Sequence, residues 1–543
     1  MAKVFTTTGI CNPDENYMVN LDERVSQIRA MVDAGHYFTI NRARQYGKTT
    51  TLSLLAASLR DEYCVLSLDF QAISNANFTT EERFVKAFCR QLRKKGPKAG
   101  MPDIILEQIN ELIDRKEEQA ALDELFDVLN EWCSISDLPI VMLIDEVDSA
   151  TNNQVFLDFL AQLRLQYIER KADPEYHAFR SVILAGVTDI KNLRRKIRPD
   201  ESHKTNSPWN IAADFNIDMS LSESGIKEML DEYEADHHKG MQTADIAREI
   251  RDYTGGYPFL VSRICQIIDN GLISTQTSIQ TNTQGNDSGS SIENAWTISG
   301  VSEAVRILLS ESNTLFDSLM GKVRDNAGLS SILKKILFSG EVVTYNAYNT
   351  DIADAAMYGF VFNDNGRVSI SNRIFETLLY NYYLSISELE GSELFRQGTT
   401  QRSKLISGGR LNMDEVMRQY MRVFDDIYVD QDTVFDEAEG RRRFLLFLRP
   451  IINGTGNYYI ESHTRNDRRM DLVVDYLGER HVVELKIWRG SRYHADGEIQ
   501  LSDYLSYLHL DKGYLLTYSF NKNKQQQIIN TTVNDKTIAE VTV

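Results

Sequence analysis

Up to about residue 270, short runs of β-branched residues alternate with segments that have the apolar periodicity of helices. Strands that alternate with helices favour parallel sheets, because each connection must cross one face of the sheet. The sequence therefore predicts an α/β fold in which helices cover a parallel sheet. The runs predicted as strands are Tyr37–Ile40, Cys64–Phe70, Ile140–Asp145 and Ser181–Val187.

The first predicted strand is followed by the tripeptide Gly47-Lys48-Thr49 and then by an apolar helical segment. Such a junction directs backbone N–H groups and the positive end of a helix at a phosphate chain. In this P-loop interpretation Lys48 contacts the β- and γ-phosphates, Thr49 supplies its hydroxyl to Mg²⁺, and Gly47 and Thr50 belong to the same ATP-binding loop. Arg42 stands where the GxxxxGK[ST] pattern has its first glycine.

The third predicted strand is apolar throughout and ends in two adjacent acids, Asp145 and Glu146. Such a strand is expected at the centre of a parallel sheet, and its carboxyl end is expected at the ligand-binding edge. Asp145 is predicted to hold Mg²⁺, and Glu146 to orient or polarise the attacking water. For each acid taken singly, a solvated strand end is the alternative. The combination with Lys48 and Thr49 favours a nucleotide site.

The fourth predicted strand is followed by two polar residues, Thr188 and Asp189. At the end of a strand beside the nucleotide they could sense the γ-phosphate. A helix N-cap before Ile190 is an equally good interpretation of the pair. We retain Thr188 as a candidate nucleotide contact.

These segments resemble the prokaryotic AAA-like ATPases related to the STAND class of signalling NTPases. The resemblance covers about residues 5–390 and implies ATP binding with slow, switch-like hydrolysis. Many members carry an arginine at the position of Arg42, and the resemblance places Gly255, Gly256 and Pro258 in the lid. The segments that carry the resemblance are Asn41–Thr49, the strand with Asp145 and Glu146, Ser207–Ala212 and Thr254–Leu260.

A second group of residues that could form a catalytic site lies near residue 480. Residues 468–476 and 481–487 alternate like strands around a Leu-Gly-Glu-Arg turn, which predicts a hairpin. Residues two apart share a strand face, so Glu484 and Lys486 are expected together, with Asp471 opposite Lys486 and diagonal to Glu484. Two carboxylates and a lysine form a site for Mg²⁺ or Mn²⁺ that activates water beside a phosphate. A solvated hairpin with a fortuitous charge cluster is the alternative.

This arrangement resembles the PD-(D/E)XK nuclease superfamily, with Met470 at the position of the name-giving proline. Gln500 and Tyr504, one helical turn apart, are similar to the QxxxY helix of its recombination-type members. Glu437 and Glu439 lie in a segment that is similar to the acidic first helix of that fold. The resemblance implies a metal-dependent DNA nuclease. Its implied site residues are the metal ligands Asp471 and Glu484, which also act in catalysis, and the catalytic Lys486, Gln500 and Tyr504.

Several arginines near the two candidate sites could contact phosphates, although a solvated face is the usual explanation of such runs. Near the nucleotide site these are Arg44, Arg194 and Arg195. Near the nuclease-like site these are Arg441, Arg442, Arg443, Arg468, Arg469, Arg489 and Arg492.

The domain boundaries are predicted from changes in composition and pattern. A Ser-, Thr-, Asn- and Gly-rich stretch after residue 271 cannot bury enough apolar surface to order itself. An Asn365-Gly366 pair between apolar segments predicts a hairpin, which with the preceding helices suggests a winged-helix-like domain. The predicted domains are the P-loop ATPase core (1–215), helical lid (216–270), linker (271–299), winged-helix-like domain (300–390), helical connector (391–434) and PD-(D/E)XK-type α/β domain (435–543).

Charge and composition limit the classes of function. The formal net charge of −19 argues against a protein that coats nucleic acid by electrostatics alone, but leaves room for a local basic site. The sequence has no apolar run of the roughly 18 residues that a membrane span requires. Residues 1–9 lack the apolar core of a secretory signal, and the five cysteines are scattered. We therefore expect a cytoplasmic protein with reduced thiols and no membrane association.

Together the two resemblances lead to the hypothesis of an ATP-gated, Mg²⁺-dependent DNA nuclease in prokaryotic defence or mobile-element biology. A signalling or scaffold ATPase is the alternative, with a nuclease-like domain that is inactive and only binds nucleic acid or a partner. A transcriptional regulator is a third alternative, which the excess of acidic over basic residues disfavours. ATP and DNA are the expected ligands, and a homo-oligomer or a protein partner is left open.

Overall fold

The computed structural model describes residues 3–115, 120–188, 190, 208–271, 295–338, 343–385, 392–407, 410–427, 435–452, 456–459, 472–477, 479–488, 490–520 and 527–543. The chain forms two compact units, Met1–Leu221 and Ser222–Val543. Most of the predicted linker, residues 272–294, lies outside the described ranges. No helix in these ranges has the length and apolar character needed to cross a bilayer.

The described part of the N-terminal unit is built on a four-stranded sheet in which neighbouring strands are all parallel. Its spatial order is β1-β4-β3-β2. The predicted α/β fold with a parallel sheet is confirmed, and each predicted strand matches the observed bounds to within one residue. The strands are β1 (Phe38–Asn41), β2 (Cys64–Asp69), β3 (Ile140–Asp145) and β4 (Ser181–Gly186).

Helices connect these strands and supply much of the core. The ring of Phe70, just after β2, lies with its centroid 6.0–6.3 Å from those of four other phenylalanines on two of these helices. This aromatic cluster fixes the carboxyl end of β2 against the helical layer. The helices are α1 (Asp22–Asp33), α2 (Lys48–Leu59), α3 (Glu81–Lys95), α4 (Asp103–Asp114), α5 (Leu122–Ile135) and α6 (Gln154–Ala172).

The first part of the C-terminal unit is mainly helical. The hairpin predicted around Asn365-Gly366 is confirmed, with Val361–Asp364 paired to Arg367–Ile370. Asn365 and Gly366 have φ values of 49° and 89°, which a tight hairpin turn with two left-handed residues requires. The elements are α7 (Glu223–His237), α8 (Thr243–Thr254), α9 (Pro258–Asp269), α10 (Ile298–Ser310), α11 (Thr314–Asp325), α12 (Ala327–Phe338), α13 (Thr350–Met357), β5 (Val361–Asp364), β6 (Arg367–Ile370), α14 (Arg373–Leu384), α15 (Glu393–Leu405), β7 (Ile406–Ser407), β8 (Arg410–Leu411) and α16 (Met413–Ile427).

The last part of the chain forms a mixed sheet of six strands within the described ranges, in the order β13-β14-β12-β11-β10-β9. Strands β9, β10 and β11 form an antiparallel meander, and a helix then leads to β12, which is parallel to β11. Strand β11 therefore lies inside the sheet with neighbours on both sides. The elements are α17 (Glu437–Ile452), β9 (Gly456–Tyr459), β10 (Leu472–Tyr476), β11 (Glu479–Ile487), α18 (Ser491–Tyr507), β12 (Lys512–Tyr518), β13 (Gln527–Val533) and β14 (Lys536–Thr542).

Candidate functional site

The loop between β1 and α2 carries the predicted P-loop. Gly47 has a φ of 77°, a left-handed conformation that favours glycine, and α2 begins at the next residue. The Lys48 side chain is buried, and its ammonium donates to the carbonyl oxygens of Arg42 and Ala43, both at 3.0 Å. Burial lowers the pKa of Lys48, and the nearby acids, led by Glu146, oppose that effect. The loop therefore gathers a cation and a helix N-terminus at one point.

The two predicted magnesium ligands of the nucleotide site lie in direct contact. The Thr49 hydroxyl donates to Oδ2 of Asp145 at 2.6 Å. The other carboxylate oxygen, Oδ1, accepts from the backbone N–H of Glu146 at 2.9 Å. Hydroxyl and carboxylate oxygens are the ligands that Mg²⁺ prefers. This pair fits the role of holding a magnesium ion beside the phosphates of a bound nucleotide.

Glu146 adopts an unusual backbone conformation at the end of β3, with a φ of 52°. A left-handed residue other than glycine carries strain and is common at functional sites. Burial raises the pKa of Glu146, as do the neighbouring carboxylates Asp145 and Asp148, whereas Lys48 lowers it. A carboxylate with a raised pKa is a better proton acceptor, which suits the predicted role at the attacking water.

Thr188 follows β4, and the sheet order places the end of this strand between the ends of β1 and β3. Its backbone is fixed by Asp148, which the sequence interpretation missed. The Asp148 carboxylate accepts from the backbone N–H groups of Val187 and Thr188, both at 2.7 Å. The available signal was a third acid shortly after the Asp145-Glu146 pair. Asp189 lies outside the described residues.

Two residues predicted to bind the nucleotide have other contacts. The Arg42 guanidinium donates to the carbonyl oxygens of Asn41 and Ile217, both at 2.8 Å, and lies 5.3 Å from the ring centroid of Phe215. It is therefore the Arg42 carbonyl, and not its side chain, that contacts Lys48. Two carbonyl oxygens and an aromatic ring thus hold the Arg42 guanidinium, and its predicted contact with the nucleotide stays a prediction.

Thr50 is the second such residue. Its hydroxyl accepts from the backbone N–H of Cys11 at 3.2 Å. Its side chain is buried, whereas that of the neighbouring Thr49 is exposed. The Thr50 hydroxyl therefore links α2 to the segment before α1, and the predicted place of Thr50 in the nucleotide-binding loop stays a prediction. Of the predicted basic residues, Arg44 is exposed, and Arg194 and Arg195 lie outside the described ranges.

At the nuclease-like site the structure brings Glu484 and Lys486 together on β11. The Glu484 side chain is fully buried, and Lys486 Nζ lies 2.8 Å from its Oε1. Helix α18 covers this face of the strand, because a Cβ added at Gly497 would lie 3.4 Å from Lys486 Cε. Tyr504 is buried on the same helix, two turns after Gly497, and Gln500 is half-buried between them. Helical spacing therefore directs these residues towards the same side of the sheet.

The predicted register of this hairpin is wrong by two residues. An arrangement with Asp471 opposite Lys486 requires Tyr476 to pair with His481, whereas Tyr476 pairs with Glu479. Strand β11 includes Glu479 and Arg480, which the prediction had assigned to the turn. The turn is therefore shorter than predicted. A shift of two residues leaves every side chain on its predicted face. Asp471 itself lies outside the described residues.

Three of the other predicted residues of this domain, Glu439, Arg442 and Arg443, are joined by ion pairs. Glu439 binds Arg442 at 2.8 Å and Arg443 at 2.7 Å within α17. Burial would raise the pKa of Glu439, but the two guanidiniums hold it below its ordinary value. Glu437 is the first residue of α17, and Arg441 is buried. Outside the described ranges lie Arg468, Arg469, Arg489 and the side chain of Arg492.

No group of three or more His, Cys, Asp or Glu side chains in the described ranges is arranged to hold a metal ion. At the nuclease-like site the predicted ligand pair needs Asp471, which is not among the described residues. Glu484 is the part of that pair that the structure places, and a carboxylate is a suitable oxygen ligand for Mg²⁺.

A network of charged residues that the sequence interpretation missed joins β11 to helices earlier in the C-terminal unit. Arg480 of β11 donates to Glu249 of α8 at 2.5 Å and lies 3.6 Å from Asp475 on the paired strand. Nearby, Arg373 of α14 lies 2.7 Å from Asp252 of α8. Arg480 and Glu249 are far apart in sequence, as are Arg373 and Asp252, so no local pattern predicts these two pairs.

Known proteins show similarity to parts of this chain. An uncharacterized WD repeat-containing protein of Synechocystis sp. is 22% identical over 372 residues, which are 66% of this chain and 28% of that protein. The chain thus spans less than a third of that relative. The Walker-type ATPase of Pyrococcus abyssi has a TM-score of 0.44 and 11% identity, covering 69% of this chain and 99% of that one. Cdc6p from Pyrobaculum aerophilum has a TM-score of 0.34 and 14% identity, covering 70% and 97%.

The sequence profile of the AAA-like domain matches residues 13–291. This segment is more than half of the 543 residues and contains the P-loop, the acids after β3 and helices α7 to α9. The chain therefore belongs to the AAA-like domain family, an ATPase-type family.

Proposed function

We propose that the N-terminal unit binds ATP with Mg²⁺ and hydrolyses it. The single observation that carries the proposal is the contact between the Thr49 hydroxyl and the Asp145 carboxylate at 2.6 Å. It joins the start of the P-loop helix to the end of the central strand, and Lys48 lies on the same loop. Family membership agrees with this assignment.

The residues of this site divide the chemistry between them. Lys48 neutralises charge on the β- and γ-phosphates, and the backbone N–H groups at the start of α2 bind phosphate oxygens. Thr49 and Asp145 would hold Mg²⁺, which would supply positive charge to neutralise the phosphates. Glu146 orients and polarises the water that attacks the γ-phosphorus. Catalysis of phosphoryl transfer depends mainly on such positioning and charge neutralisation.

The test is ATP binding and hydrolysis by the purified full chain with Mg²⁺, compared with Lys48→Ala. We expect that variant to bind ATP about 100-fold more weakly, equivalent to about 2.7 kcal/mol. Lys86→Ala is the matched control, since Lys86 is also a largely buried lysine of this unit and pairs with Glu82 at 2.7 Å. Unchanged ATP affinity in Lys48→Ala, or an equal loss in both variants, would contradict the assignment.

We propose further that the C-terminal domain is a metal-dependent DNA nuclease of the PD-(D/E)XK type, coupled to the ATPase-type domain. In this proposal Glu484 and Asp471 bind Mg²⁺, and Lys486 positions the attacking water or stabilises charge on the phosphate. The proposal is supported by a fully buried carboxylate on an interior strand, Glu484, because such burial is costly and is typical of functional sites. It is also supported by α18, which brings Gln500 and Tyr504 over that strand.

Cleavage of single- and double-stranded DNA with Mg²⁺ or Mn²⁺ tests this second proposal. We expect Glu484→Gln and Asp471→Asn to abolish cleavage while ATP hydrolysis continues. Glu479→Gln is the matched control on the same strand, where Glu479 forms a partly exposed pair with Arg410 at 3.1 Å. Undiminished cleavage by the first two variants would remove the assigned site. The suggested role in prokaryotic defence or mobile-element biology rests on the sequence resemblance.

A scaffold or signalling ATPase is the second candidate function. The observation in its favour is the ion pair between Lys486 and the fully buried Glu484, because a carboxylate neutralised by an adjacent lysine is a weaker ligand for a cation. In that case the nuclease-like domain binds nucleic acid or a partner without cleaving it. ATP hydrolysis that is lost in Lys48→Ala, together with no cleavage under either metal, would favour this candidate.

A further inference from the structure

The short turn after β3 carries a carboxylate that binds the end of another strand. Asp148 Oδ2 accepts from the Val187 N–H and Oδ1 accepts from the Thr188 N–H, both at 2.7 Å. Hydrogen bonds to an ionised carboxylate are about twice as strong as those between neutral groups. Each oxygen of the Asp148 carboxylate accepts from one of two successive backbone N–H groups. The backbone at residues 187–188 therefore cannot rotate without losing one of these strong hydrogen bonds.

The two segments also pack with little space between them. A Cβ added at Gly186 would lie 2.9 Å from Val147 Cγ2 and 3.0 Å from Asp148 Oδ2. Val147 is fully buried, so the surrounding core prevents its side chain from moving away from Gly186. The end of β4 and the turn after β3 therefore form one rigid contact, in which steric packing and two hydrogen bonds act together.

This turn is also fixed to other parts of the candidate nucleotide site. Asp145, at its start, accepts from the Thr49 hydroxyl of the P-loop helix. Ser149, at its end, donates to the Phe70 carbonyl oxygen after β2 at 3.2 Å. Glu146 lies between these two attachments, two residues before Asp148. Asp148 therefore links the backbone of Thr188 to the turn that carries the residue proposed to activate the water.

We propose that Asp148 is a positioning residue for ATP hydrolysis, which holds the backbone of Thr188 in a fixed place relative to Glu146. In this role Asp148 contacts neither phosphate nor water. It acts through Thr188, a proposed contact of the γ-phosphate, and therefore affects the rate of hydrolysis more than the affinity for ATP. The inference rests on the proposed ATPase function.

The main test is the variant Asp148→Asn in the full chain, with kcat for ATP hydrolysis and the Kd for ATP measured separately. Asparagine keeps the size of the side chain but turns an NH₂ group towards one of the two N–H donors. We expect kcat to fall about 10-fold or more, equivalent to about 1.4 kcal/mol, while Kd changes by less than about threefold. Asp158→Asn is the control, because Asp158 is an exposed aspartate of α6 in the same unit and accepts from Gln154.

A second variant separates positioning from a general structural role. Thr188→Val removes the hydroxyl but keeps both backbone N–H groups, so it remains informative if Asp148→Asn fails to fold. If Asp148 acts through Thr188, the double variant is no slower than the slower single variant, since contacting residues in one pathway are not additive. Wild-type kcat in either single variant, fully additive losses, or a loss in kcat matched by the loss in ATP affinity would overturn the inference. A wild-type chain that does not hydrolyse ATP is a different result and would overturn the proposed function itself.

Discussion

Arg480 of β11 and Glu249 of α8 form an ion pair of 2.5 Å although they are 231 positions apart in the chain. Their side chains are 19% and 15% exposed, so the pair is largely withdrawn from solvent. Helix α8 lies inside the segment that matches the AAA-like domain, and β11 carries the candidate residues Glu484 and Lys486. The pair thus joins a helix of the family domain directly to the strand that carries Glu484 and Lys486.

Replacing Glu249 by glutamine should destabilise the protein by about 2 kcal/mol, because loss of one partner leaves a largely buried guanidinium with Asp475 as its remaining close carboxylate. The free energy of unfolding from denaturant titration is the measurement. Glu223→Gln is the control, since Glu223 lies 3.7 Å from Arg248 with both side chains more than half exposed. Equal losses of stability in the two variants would show that the Arg480–Glu249 pair contributes no more to stability than the exposed pair does.

As the pH is lowered, the rate of ATP hydrolysis should begin to fall at a higher pH than it would if Glu146 had the pKa of an ordinary glutamate. Burial and two neighbouring carboxylates raise the pKa of Glu146, and Lys48 offsets only part of that rise. In the proposed mechanism Glu146 acts on water only as the carboxylate, so activity is expected above its pKa and is lost as the pH falls through it. Kcat measured from pH 4 to pH 8 tests this, with Asp158→Asn as a variant that should keep the profile. An acid limb in the ordinary glutamate range, about pH 4.3, would contradict it.

His481 on β11 should make the folded protein less stable at mildly acidic pH. Burial lowers the pKa of this histidine in the folded state, against the opposing influence of Glu479 and Asp414. The unfolded chain then binds more protons than the folded one below about pH 6.5, so the free energy of unfolding decreases as the pH falls. His481→Gln should show a flatter dependence between pH 8 and pH 5. His509→Gln, at an exposed position, should keep the wild-type dependence, and parallel curves for both variants would refute the assignment.

The local features of the fold could be predicted from the sequence, as could the approach of Thr49 to Asp145, which motifs indicate, whereas long-range contacts outside such motifs could not. The strands around the nucleotide site and the hairpin at Asn365-Gly366 follow from apolar runs and turn chemistry, which act within a few residues. The register of β10 and β11 could not be fixed in this way, because a two-residue shift preserves both strand faces. The bonds of Asp148 to residues 187–188 and of Arg480 to Glu249 depend on tertiary contacts. A charged side chain in a sequence does not indicate its distant partner.

Gly255→Ala should destabilise the protein clearly more than Gly240→Ala. Both glycines have left-handed φ values, 58° and 69°, so the added side chain strains the backbone at either position by about 1 kcal/mol. At Gly255, the residue after α8, a Cβ would also lie 2.6 Å from the carbonyl oxygen of Ser371, between β6 and α14, whereas at Gly240 it would meet nothing within 4 Å. We expect a further loss of about 1–3 kcal/mol at Gly255 from this overlap, measured by denaturant titration. Equal losses at the two glycines would mean that the contact between the end of α8 and Ser371 is absent in solution.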